Sequence, residues 1–155
     1  MSRTFPLNGI RLSFLQTFID IYCGGREKLQ GLTTTFVIDK FIKPQTLLWQ
    51  QSFCDMLESQ GYEDHGFCIA KAQVFISHAW QYIFLDVVDA LQFHFIDTPD
   101  IVIWFDLFSI NQHKENDLDF HGLCNMFTST IKDFGMLFLC LFHFRLYLLG
   151  MTRFP

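Results

Sequence analysis

Two short apolar runs, each ending in polar groups, constrain this chain more than anything else in it. The first is Val74-Phe75-Ile76-Ser77-His78-Ala79-Trp80; the second, about two dozen residues on, is Ile101-Val102-Ile103-Trp104-Phe105-Asp106. Between them, Tyr82 to Phe95 carries Phe84, Val87, Val88, Leu91 and Phe95 on one helical stripe, with Asp86, Asp89 and Gln92 off it. Strand, amphipathic helix, strand is the pattern of a parallel βαβ unit. It sets two polar strand ends side by side, at the edge of an open sheet where sites are built.

The same alternation continues towards the C-terminus. Thr98-Pro99 breaks the chain before the second run, which reads as a strand buried on both faces. Leu107 to Leu118 reads as a polar loop. Asp117 or Asp119 then caps a helix with Phe120, Leu123, Cys124, Phe127, Ile131 and Phe134 at helical spacing, and Gly135 stops it. Met136 to Phe142 is a third apolar strand. The expected order is β-α-β-α-β with right-handed crossovers.

Before Ala72 the pattern is helical. Phe14, Leu15, Phe18 and Tyr22 share a face that Gly24-Gly25 ends. Thr33 or Thr34 caps a second helix carrying Phe36, Val37, Phe41 and Ile42, which Pro44 stops. A third runs from about Thr46 to Ser59, with Trp49, Phe53, Met56 and Leu57 inward. Three segments follow: a helical one over 1–66, an α/β one over 72–142 and an apolar tail over 143–155.

Composition then narrows the function classes. Half of the 155 residues are hydrophobic and 20 are Phe, so many rings need burial or a partner surface. The net charge is −5 and no basic cluster is present, which argues against nucleic acid and against an anionic membrane surface as partner. Met1 to Pro6 does not open a secretory signal, and Met136 to Met151, interrupted by His143 and Arg145, is short for a membrane span. Five scattered cysteines read as reduced thiols of a cytoplasmic protein.

The candidate pocket is formed by Ser77, His78 and Trp80 from one strand end and Asp106, Ser109, Asn111, Gln112 and His113 from the next. Such a set can hold a ribose, a phosphate or an amide ring. It can equally be structural, with Ser77 and His78 bonded to loop backbone, Trp80 plugging the core and Asp106 capping a loop. A Ser77–His78–Asp106 triad fits poorly, since adjacent residues of an extended segment point to opposite sides and no nucleophile elbow is present. His65-Gly66-Phe67-Cys68 and His121-Gly122-Leu123-Cys124 have zinc-ligand residue types, but Cys124 fills an apolar stripe, so no metal is expected.

Ser77-His78-Ala79-Trp80 resembles the motif of divergent Toll/interleukin-receptor-like (TIR-like) domains. Gly31 to Thr34 and Phe41 to Thr46 look like the helical lead-in of those proteins; Phe84 to Leu91 looks like their first helix. Trp104 to His113 looks like their second strand and its loop, and Phe127 to Gly135 like the next helix. The likeness covers roughly Gly31 to Leu141. It implies a flavodoxin-like parallel sheet and a signalling or scaffold module acting through protein partners, self-association through a sheet edge included. In TIR domains that cleave NAD, a glutamate in a later Trp-Cys-x-x-Glu helix carries the chemistry. This sequence departs there, reading Phe142 to Gly150 instead, so no catalytic residue and no cofactor are assigned. An NAD-cleaving hydrolase, with NAD as substrate, and a non-functional truncated fragment are the alternative readings. The departure also implies truncation or a frame shift, with Phe142 to Pro155 poorly integrated into an incomplete sheet.

Overall fold

The computed structural model describes residues 6–60, 68–114, 131, 134–143 and 146–153. A six-stranded mixed sheet organises them. Its strands are β1 (Asn8–Arg11), β2 (Ile69–Lys71), β3 (Val74–Ser77), β4 (Val102–Trp104), β5 (Met136–His143) and β6 (Leu146–Arg153), in the order β2-β1-β4-β3-β5-β6. The centre is parallel: β3 pairs with β4 through Val74↔Ile103 and Phe75↔Trp104, and with β5 through Val74↔Met136 to Ser77↔Leu139. The α/β class and the parallel pairing of the two opening runs are therefore present, joined by α5 (Phe84–His94).

An all-parallel sheet is not what forms. β1 runs antiparallel to both β2 and β4, and β6 runs antiparallel to β5. β1 escapes sequence reading because four residues are too few for a period. Gly9 lets it in: a Cβ there would lie 2.1 Å from the Ile103 carbonyl oxygen. The expectation of a poorly integrated tail is also corrected. β6 is registered against β5 over its whole length, from Met136↔Arg153 to His143↔Leu146, because a continuous apolar run has enough extended residues to turn back on itself.

The N-terminal helices are shorter than their apolar pattern suggests and are interrupted by wider π-turns. α1 (Phe14–Thr17) continues as a π-helical turn over Phe18–Tyr22 and ends at Gly24 and Gly25, both at positive φ. α2 (Thr34–Val37) starts at a Thr33 cap and passes through a second π-turn, Ile38–Ile42, into α3 (Lys43–Thr46). Pro44 thus does not stop the helix. It sits in the first turn of α3, where the missing N–H is tolerated, after a register change that the π-turn absorbs. The expected Thr46–Ser59 helix is likewise two pieces. The chain leaves helix after Thr46, exposes Trp49, and restarts as α4 (Phe53–Ser59) from Ser52, whose hydroxyl accepts the Asp55 N–H at 3.0 Å.

Both sheet faces are covered. On one face Val74, Ile76, Ile103 and Phe105 meet the N-terminal helices and α5 in one core. Phe18 sits at its middle, with ring centroids 4.8 Å from Phe108, 5.5 Å from Phe53 and 6.1 Å from Phe84. On the other face Phe75 stacks on Trp104 at 4.8 Å and Phe134 packs at 5.6 Å. The helix expected before Phe134 lies outside the described residues apart from Ile131.

Candidate functional site

The two strand ends meet. β3 delivers Ser77 and then His78; β4 delivers Phe105, then Asp106 as first residue of α6 (Asp106–Ser109). The expected polar loop from Leu107 therefore opens as a helical turn with Leu107, Phe108 and Ser109 buried, since two large apolar groups in succession favour the core over water.

His78 Nδ1 lies 3.9 Å from Asp106 Oδ1. The imidazole is 1 % exposed, packs edge-on to Phe105 at 4.9 Å, and among the described residues neither ring nitrogen has a hydrogen-bond partner. Burial pulls its pKa below the ordinary 6.5, and the Asp106 carboxylate pulls partly back. Asp106 is held from two sides. The Trp80 indole N–H donates to Oδ2, and the Leu107 N–H donates to Oδ1 at 2.8 Å. Burial pushes its pKa up; His78, Trp80 and the Leu107 N–H oppose the rise.

Trp80 reaches this position because its loop is stitched to the N-terminal lead-in. Thr34 N–H donates to the Tyr82 carbonyl at 3.0 Å, Thr35 N–H to the Trp80 carbonyl at 3.2 Å, and Phe84 N–H to the Leu32 carbonyl at 2.9 Å. The ring does not plug the core. It stays 38 % exposed over Asp106.

The remaining pocket residues turn away from His78, towards the helical segment. Ser109 Oγ lies 4.0 Å from the Cys54 thiol, and Asn111 Nδ2 donates to the Gln50 carbonyl at 2.5 Å. His113 Nε2 is 2.8 Å from Thr46 Oγ1. Gln112 is buried and donates to the Asp106 carbonyl at 3.1 Å. Sequence reading grouped these with Ser77, His78, Trp80 and Asp106; the structure separates a His78–Asp106–Trp80 cluster from an anchoring loop. It also adds Thr46, Gln50 and Cys54, whose part no spacing signalled, because they reach the loop from 50 or more residues away.

The chemistry of the cluster follows from its bonds. Both Asp106 oxygens already accept, so this carboxylate is an organiser of Trp80 and α6. No group of three or more metal-ligating side chains occurs among the described residues. His65 and the His121–Cys124 pair fall outside them. The four described cysteines are buried, and burial pushes Cys68 up to about 11 and Cys23 and Cys140 to about 12, leaving inert thiols. No described helix is long and apolar enough to cross a membrane. Comparison of the chain with protein-family models, with curated proteins and with solved structures returned no match.

Proposed function

We propose that this chain is a TIR-like interaction module that assembles with protein partners, copies of itself included, through the edge where β3 and β4 end. One observation carries the reading. Three polar groups near that edge are spent internally, Asp106 on Trp80 and Leu107, Asn111 on Gln50 and His113 on Thr46, and His78 is buried, while Trp80 stays part-exposed. A fixed, part-exposed aromatic on a rigid base suits protein recognition, where Trp is enriched. The parallel strands also support a flavodoxin-like reading: in chain order they run second, first, third across the sheet.

Sedimentation velocity of the full chain over a range of concentrations tests this. Association that weakens in Trp80→Ala, with the circular dichroism spectrum kept, is the expected result. A chain that stays monomeric throughout and releases nicotinamide from NAD, with the release lost in Asp106→Ala, overturns it in favour of a hydrolase.

A further inference from the structure

The His78 imidazole is the least explained polar group in the fold. A buried ring with two nitrogens unsatisfied among the described residues carries a desolvation cost. A role in packing alone would be filled as well by an apolar side chain. What distinguishes this ring is its neighbour. Asp106 Oδ1 stands 3.9 Å away, just beyond hydrogen-bond length, and the same carboxylate holds Trp80 through its other oxygen. A small movement of one carboxylate thus trades one partner for the other.

We propose that His78 is a proton-operated latch on Trp80: a proton taken up by the buried ring draws the Asp106 carboxylate onto it and loosens the indole that this carboxylate holds. The proton comes from solvent, by way of the carboxylate, which is 16 % exposed. Burial disfavours charge on both groups, but the carboxylate already accepts two N–H bonds that favour its ionised form, while among the described residues neither ring nitrogen has a partner to lose, so the ring takes the proton. From the β4–α6 junction the groups facing His78 are Phe105 and Asp106. The 79–83 loop that follows His78, bonded to the start of α2, holds no Asp, Glu, Lys, Arg or His. Among the described residues, Asp106 alone exerts a charge on the ring. The trigger therefore lies on the acid side of 6.5, where burial places the ring's titration.

The inference is independent of what the chain binds, and its test needs no partner. The imidazole C–H signal of His78 and the indole N–H signals of Trp49, Trp80 and Trp104 are followed by NMR on the full chain as pH falls from 7.5. The expected result is a Trp80 signal that moves with the same midpoint as His78, while Trp104, bonded to the Pro6 carbonyl, does not. In Asp106→Asn, which keeps an acceptor for the indole but removes the charge, the His78 midpoint falls and the Trp80 response is lost at the wild-type midpoint. His78→Gln removes the response entirely. A Trp80 signal that stays still while His78 titrates overturns the latch, as does one that moves unchanged in either variant. Should His78→Gln not fold, the wild-type midpoints and Asp106→Asn decide alone.

Discussion

At the scale of single residues, Gly9 and His78 set the sharpest expectations. Gly9 admits β1 against β4 only because it has no Cβ, and the Ile103 carbonyl that a Cβ would strike is backbone that cannot swing away. Gly9→Ala should destabilise by about 3 kcal/mol, at the upper end of the cost of overpacking, seen as a lower urea midpoint with an unchanged slope. His78 has a depressed pKa, so the unfolded chain binds a proton just below 6.5 that the folded chain refuses. Its contribution to stability is complete above 6.5 and is lost as pH falls. Asp106 has the opposite sign: its raised pKa adds stability in acid that is lost as pH rises above 3.8. The drop in melting temperature between pH 7 and pH 5.5 should therefore be smaller in His78→Gln than in the wild type. A drop of equal size would show that the buried ring does not set it.

At the scale of elements, local chemistry decides where helices break. Ser52 was legible only as one more polar residue within an apolar period, yet its hydroxyl starts α4. Ser52→Ala should cost about 1 kcal/mol, read by thermal melting. The elements that sequence reading found, β3, α5, β4 and β5, are those with strong periodicity and clean stops such as Thr98-Pro99. Those it missed or ran together are short or set by distant contacts. β1 is held by Gly9 fitting another strand, and the turn after Thr46 is held by Asn111, which grips the carbonyl of Gln50 in a positive-φ conformation. Likewise His78 and Asp106 could be placed at one edge from strand order alone. That Asn111 and His113 face the helical segment instead could not, since their partners lie 61 and 67 residues away.

At the scale of the whole molecule, the helical lead-in and the sheet share one core with Phe18 at its centre. Phe18→Ala should cost about 3–5 kcal/mol, a large part of the roughly 5–15 kcal/mol that holds a domain together. Its expected signature is loss of near-ultraviolet dichroism across the chain in mild urea, in one transition. Two transitions would show that the lead-in melts separately. Surface charge should matter far less. Arg26 and Asp89 pair with about half of each side chain exposed, so Arg26→Ala should leave stability within about 0.5 kcal/mol.

The place of β1 in the sheet has a consequence for how the protein is made. β1 leaves the ribosome before either strand it lies between, β2 and β4, and Arg11 bonds to Asp100, 89 residues later in the chain. At roughly 5–20 residues per second, the nascent chain waits about 5–20 s before that neighbour exists. During that interval Phe14, Leu15 and Phe18, with no sheet beneath them, are exposed to whatever surrounds the growing chain. Synthesis speed and chaperone supply, more than the final stability, should govern how much of this protein reaches its folded state.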